Sequence, residues 1–398
     1  MRLLIVLADY PIPMRTGSAI VACSSIRGLQ ARHQIDIICP LSSDGNNEFG
    51  RIQNQIEFVA RRKVSRLIGW IRSLFYMLKG VPPAISTYAS RAMNESVRNK
   101  LKDNEFDAIL LFEMSAMQYC PSSWLNKVAV NIEDPQSIRL NRLAQLPIWS
   151  LWRKLKLLIQ TQVMAHYENR ILHKAGQVFL LSKNDARDFC KQFGYKNIAC
   201  LPYGVEQRDS LQVLGYQGRE RAIVFSGNMF HAPNVDGGLF LLTDIFPLIL
   251  RSYPSAVLWI VGADPDARLC AEAEKFGKSV VVTGRVDDVS NYIKRATVSI
   301  CPVRLKIGVQ TKILESLSWG TPVVTTSAGN SGIGGINGKH LWVEDESAML
   351  AQRVCELLRG QNWEKLSIDG RQLVIENFSW ESSANQLERH LEALVAKS

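Results

Sequence analysis

The chain lacks any cysteine pairing pattern. Its eight cysteines (23, 39, 120, 190, 200, 270, 301 and 355) are scattered, and none forms a Cys-x-x-Cys pair. That excludes a zinc ribbon or a disulfide scaffold, and it predicts reduced, buried thiols in a cytoplasmic protein. Histidine is scarce as well: of six, His166 and His173 lie seven apart on a predicted helix with no third ligand near them, so no metal site is expected. No stretch offers ~18 uninterrupted apolar residues, which predicts no membrane-spanning helix. The opening MRLLIVLADYP runs into Asp9 and Pro11 without a small-residue cleavage site, unlike a secretory signal. Acidic residues are missing from two long stretches, Phe58–Asn94 and Pro135–Tyr167.

What is present is ordinary globular composition, with 46% apolar and 21% charged residues over 398 positions. That length predicts two domains rather than one core. The net charge of +10 is unevenly divided. Residues 1–205 hold 27 Lys/Arg against 15 Asp/Glu, and residues 206–398 hold 20 against 22. The whole positive excess therefore lies in the first half, pointing to an anionic partner for that half alone.

Apolar runs punctuate the chain at strand length. Leu3–Leu7, Ile35–Cys39, Ala108–Phe112, Val128–Ile132 and Val178–Leu181 read as buried strands, with a helix predicted from about Ser18 to Arg32. The second half repeats the pattern at Ala222–Phe225, Val257–Val261, Val280–Thr283, Val298–Cys301 and Val323–Thr325. Helices are predicted between these strands, at Val235–Ser252 (broken by Pro247), Val289–Arg295 and Lys312–Trp319. Strand–helix alternation of this kind predicts two doubly wound α/β domains, 1–205 and 206–379, joined through the aperiodic stretch Gly204–Glu220.

The densest chemistry lies in Ile300–Thr326, ICPVRLKIGVQTKILESLSWGTPVVTT. A loop with Arg304, Lys306 and Gly308 leads into a helix carrying Lys312 and Glu315, three apart and so expected on one face. A glycine loop at a helix start offers backbone N–H groups and a positive dipole end to a diphosphate. A carboxylate one turn later can accept hydrogen bonds from ribose hydroxyls. The same residues also fit an ordinary crossover with a solvated Lys and Glu, and local physics alone does not separate the two.

This segment resembles the donor-binding motif of retaining glycosyltransferases of family four, a Lys-x-x-Glu-Ala/Ser run before a Gly-x-Pro-Val-Val strand. The resemblance extends over Ile223–Phe378, through FSGNMFHAPNVDG, WIVGADP, VVVTGRVDDVSNYIKRATVSICP and ENFSWE. It implies a GT-B architecture, a nucleotide-sugar donor, and a last helix (380–398) that packs back on the first domain. It implies Glu315 as the ribose ligand, with Gly308, Val309 and Gln310 giving backbone contacts. Gly284 and Arg285 would border the base, and Gly17 would approach the phosphates. The family's first motif glutamate would fall at Ile307, and its usual diphosphate cations fall at Asn228 and Pro233. Lys312, with Arg304 second and Lys306 as an alternative, is then expected to meet the leaving diphosphate. Glu113 stands where many relatives place a histidine, and Glu133 and Asp134 follow the next strand. Any of these three can orient an acceptor hydroxyl, and any can equally be a cap or turn former.

The acid-free stretches carry Arg61, Arg62, Lys63, Arg66, Trp70 and Arg72, then Trp149, Leu151, Trp152, Arg153, Lys154 and Lys156. Basic residues beside Trp and Leu suit a helix lying on anionic lipid, although two sheet-covering helices with solvated cations give the same pattern. Nucleic acid ranks lower, since no helix-turn-helix, RNA-binding sheet motif or zinc module accompanies the charge. The expectation is a cytoplasmic, peripheral glycosyltransferase with a lipid-linked acceptor, no metal and no other cofactor. A sugar-nucleotide epimerase and a catalytically silent partner protein are the rivals.

Overall fold

The computed structural model describes residues 1–12, 16–41, 56–60, 75–206, 213–306 and 308–397. The chain forms two compact units. One comprises Met1–Asn141, Leu155–Gly204 and Trp380–Ser398, and the other Arg142–Lys154 and Val205–Ser379.

The first unit is built on a seven-stranded sheet: β1 (Arg2–Leu7), β2 (Gln34–Pro40), β3 (Ile56–Val59), β4 (Ala108–Phe112), β5 (Val128–Glu133), β6 (Gln177–Leu180) and β7 (Ile198–Cys200). All neighbours are parallel and the order is β3-β2-β1-β4-β5-β6-β7. Helices cover both faces, so β1 and β4 are apolar without alternation. Winding starts at β1 and reverses at β4, which puts a crevice at the carboxyl ends of these two strands. The Gly17–Gln30 helix follows β1, and the Thr16 hydroxyl accepts from Ala19 N–H at 3.2 Å to cap it. The Trp380–Lys397 helix packs on it so closely that a Cβ at Gly28 would meet the Ala384 methyl. Glu388 of this last helix binds Arg32 at 2.8 Å and His33 at 2.7 Å.

The second unit carries β8 (Glu220–Ser226), β9 (Val257–Val261), β10 (Val280–Gly284), β11 (Ala296–Cys301), β12 (Val323–Thr325) and β13 (Trp342–Val343). Their order is β10-β9-β8-β11-β12-β13, again all parallel and doubly wound. The helix after β8 does not break at Pro247. Instead Ala232–Phe240 passes through a π turn, Leu241–Ile245, into Phe246–Ser252. Proline has no N–H to bond the preceding turn, and the wider turn absorbs the lost register. This run of 21 residues is long and apolar enough to cross a membrane, although Asn234, Asp236, Thr243 and Asp244 interrupt it. Leu241, Leu242, Ile245, Phe246 and Ile249 are nevertheless fully buried in the unit, as in a core helix.

A buried guanidinium ties this unit together. Arg219 donates to the carbonyls of Leu214 (3.0 Å), Ala296 (3.0 Å) and Trp319 (2.8 Å) and to the Thr321 hydroxyl (2.6 Å), and it lies over the Trp363 ring. Burial pulls its pKa down to about 10.

Candidate functional site

In the second unit the strand ends of β8, β9 and β11 meet with almost no side chains between them. Gly262, just past β9, lies so close to the carbonyl oxygen of Gly227, just past β8, that a Cβ there has no room. Gly227 N–H donates to Val261 O at 3.0 Å and Met229 N–H to Ala263 O at 3.0 Å, fixing the loop after β8 against β9. Beneath this loop runs the Thr311–Ser318 helix. Lys312 is buried on it, with its ammonium 3.0 Å from where a Gly227 Cβ would stand. The ammonium donates to Asn234 Oδ1, and Asn234 Nδ2 donates to Asn228 O at 2.8 Å. Desolvation lowers the Lys312 pKa, opposed by the neighbouring Cys301 and Glu315. An arriving anion would reverse that shift by stabilising the charged form.

Lys312 and Glu315 do not share an environment as expected from their spacing. Almost the whole helix is buried, so the 60° between positions three apart carries one side chain inward and leaves Glu315 exposed. The helix starts after Gln310 with no side-chain cap, and Ile313 N–H turns back to the Gln310 carbonyl at 2.9 Å. Gly308 has φ 52°, and Gly332 presses against the Gly308 carbonyl with no space for a Cβ. Ile307 lies outside the described residues. Arg304 is half exposed, but both arms of its fork grip the fully buried Asp236, at 2.9 and 2.6 Å. Lys306 is exposed, and its carbonyl accepts from the Arg142 guanidinium.

Asn228 is exposed at the loop tip, with Oδ1 accepting from Phe230 N–H at 3.2 Å. Gly284 ends β10 at φ 66°, at a register slip against β9. Arg285 follows, exposed and 3.6 Å from Asp264. Sequence reasoning missed Asn234, Asp236 and the Ser327–Gly335 turn that supports the Gly308 loop. The glycines of SAGNSGIGG were the available signal.

In the first unit the carboxyl ends of β1, β4 and β5 bring Asp9, Glu113, Glu133 and Asp134 into one region with Ser18 and Arg139. Glu113 and Glu133 both adopt positive φ, 69° and 59°, which non-glycine residues rarely do. Ser115 and Ser18 hydroxyls donate to the Glu113 carboxylate, the former at 3.3 Å. Gly17 faces Glu133, with Oε2 4.0 Å from a Cβ position. Burial, reinforced by Asp134 and Glu113, pushes Glu133 up to about 8, and burial raises Glu113 as well. Among the described residues no three His, Cys, Asp or Glu are placed to hold a metal ion.

The sequence profile of the family described as Glycosyl transferases group 1 matches residues 220–360, the segment that holds Gly227, Gly262, Lys312 and Glu315. No curated protein sequence matches the chain. Solved structures do. Sucrose-phosphate synthase from Thermosynechococcus elongatus superposes with a TM-score of 0.72 at 15% identity, covering 100% of both chains. HepE from Anabaena, solved with UDP and glucose, gives 0.65 at 13% identity, covering 98% of this chain and 99% of its own. WaaG, a glycosyltransferase involved in lipopolysaccharide biosynthesis, gives 0.65 at 16% identity, covering 97% and 98%. The fold is GT-B, two Rossmann-like α/β units, and the profile match supports a glycosyltransferase of the group 1 type.

Proposed function

We propose that the protein transfers a glycosyl group from a nucleoside-diphosphate sugar, with retention of anomeric configuration, to a lipid-linked acceptor in cell-surface polysaccharide synthesis. The observation that carries the donor half is Lys312, a buried ammonium held by Asn234 under the bare Gly227 backbone and one position into an uncapped helix. Negative charge grows on the diphosphate as its bond to the sugar carbon breaks. A cation already desolvated and oriented stabilises that charge with little reorganisation. Gly308, Val309 and Gln310 supply backbone contacts, Glu315 takes the ribose hydroxyls, and Gly284 with Arg285 borders the base. Arg304 serves this site through Asp236 rather than through substrate. With Lys312 and the helix end meeting the phosphates, the reaction proceeds without a metal ion. The UDP and glucose bound by the Anabaena neighbour support a nucleotide-sugar donor, and the involvement of WaaG in lipopolysaccharide biosynthesis supports a cell-surface glycan.

The acceptor half rests on the Leu151–Leu172 helix. Its first turns expose Leu151 (84%), Trp152 (82%), Leu155, Leu158 and Ile159 beside Arg153, Lys154 and Lys156. That combination suits the inner face of an anionic membrane, where the protein would be peripheral and cytoplasmic. The basic run from Arg61 to Arg72 lies outside the described residues.

Calorimetry against nucleoside diphosphates tests the donor site, followed by nucleoside-diphosphate release from a panel of donors with and without a chelator. Absence of nucleotide binding overturns the reading. Activity lost on chelation assigns the cation role to a metal. Co-sedimentation with anionic but not neutral vesicles, weakening as salt rises, is the expected membrane result.

A further inference from the structure

Asn234 is buried on the Ala232–Phe240 helix between two groups that make opposite demands on it. On one side the Lys312 ammonium can only donate, so the amide oxygen faces it. On the other the Asn228 carbonyl can only accept, and Asn234 Nδ2 donates to it at 2.8 Å. Asparagine meets both demands and carries no charge. Aspartate would serve the ammonium but not the carbonyl, and an apolar residue would serve neither. The amide nitrogen and the ammonium lie 2.8 and 3.0 Å from where a Gly227 Cβ would stand, so the pair packs directly against the bare loop. Two positions along, the same helix treats a cation in the opposite way. Asp236 is fully buried and takes both arms of the Arg304 fork, which neutralises that guanidinium. Among the described residues no carboxylate stands at ion-pair distance from Lys312. Its ammonium donates to Asn234 and lies over the Phe225 ring, 4.9 Å from the centroid. A buried cation met by an amide dipole and a ring face is oriented but not neutralised.

We infer that Asn234 is a positioning residue of the donor site, one that fixes the Lys312 ammonium beneath Gly227 and leaves its charge for the diphosphate. An acid at this position would quench that charge, as Asp236 quenches Arg304. The inference rests on the transferase reading, and it adds the residue that sets how much positive charge the diphosphate meets. The titratable groups acting on Lys312 are Cys301, from β11, and Glu315, on its own helix. Both stay in place when Asn234 is changed, so a change in the titration of Lys312 reports on the amide alone.

The test uses the full-length protein with labelled lysine ε-carbons, titrated by NMR, and Lys312→Met identifies the Lys312 signal by its loss. In the free wild type this signal should titrate below the other lysines, because desolvation disfavours the ammonium. Asn234→Asp should raise its midpoint, and Asn234→Leu should lower it. Both variants break the bond to Asn228, so a residue that merely held the loop would move the midpoint the same way in both. Calorimetry with inorganic pyrophosphate, ADP, GDP and UDP gives the second readout. Asn234→Asp should bind about tenfold more weakly at neutral pH, although its lysine holds the proton more tightly. Binding fails once Lys312 loses its proton, so the alkaline limit of binding should move up in Asn234→Asp and down in Asn234→Leu. If the leucine variant does not fold, the aspartate variant decides alone. A midpoint that stays put or moves the same way in both variants overturns the inference, and so does wild-type affinity in Asn234→Asp. Opposite shifts in a protein that binds no nucleoside diphosphate overturn the transferase reading alone.

Discussion

The two units wind the same way, yet their strand ends are made of different material. In the second unit the carboxyl ends of β8 and β9 are bare backbone, Gly227 against Gly262, with a single ammonium below. In the first unit the equivalent ends of β1, β4 and β5 carry carboxyl groups on left-handed backbone, supported by a buried amide. One arrangement suits a large anion that must come close to the main chain. The other gathers carboxyl groups that burial shifts toward their protonated form. The same topology therefore offers opposite electrostatics, and the difference lies in a handful of residues just beyond the strands.

The sharpest way to break the comparison is to remove the cation. Lys312→Ala should lower turnover roughly 100-fold, the scale of losing one preorganised electrostatic contact, with a much smaller change in nucleotide affinity. Steady-state kinetics beside calorimetry would show it, and wild-type turnover would move the role to Lys306 or to a metal. Next in size is the bare backbone itself. Gly262→Ala forces a methyl group into the Gly227 carbonyl and should cost roughly 3 kcal/mol of stability, read from denaturant unfolding. Glu315→Ala should weaken nucleotide binding by ~1–3 kcal/mol, the range for hydrogen bonds to a charged group, and leave the fold intact. Unchanged affinity would remove the ribose assignment.

The smallest effect belongs to the first unit and concerns pH. Glu133 binds its proton more tightly folded than unfolded, so the wild type should lose stability as pH rises from the ordinary carboxylate range through about 8. Glu133→Gln should flatten that slope by a few degrees of Tm across the same window and change little below it. A variant with the wild-type slope would place the carboxyl in water.

Much of the sheet framework is legible in the sequence because doubly covered strands leave an unbroken apolar run. Val257–Val261, Ala108–Phe112 and Val323–Thr325 are read to the residue. The edge strands β3, β7 and β13 are not legible, being two to four residues long and only partly buried. Lys312 stands out through its place in a glycine-flanked motif. The grip of Arg304 on Asp236 does not, because the two are 68 positions apart and meet only when β8 and β11 pair. The bond from Glu113 N–H to the Asn131 carbonyl likewise depends on the β4–β5 register, which no local pattern encodes.

Arg219 has a consequence for how the second unit comes apart. Its guanidinium holds carbonyls from the segments around Leu214, Ala296 and Trp319, and no carboxylate is among its hydrogen-bond partners. Detaching any one segment strands a buried charge with fewer acceptors, so partial openings are penalised far more than their lost contacts suggest. Amide hydrogens near these three places should therefore exchange at one common rate, set by complete opening of the unit rather than by local fraying. The loops that shape the nucleotide site would then be anchored to the slowest motion the unit possesses.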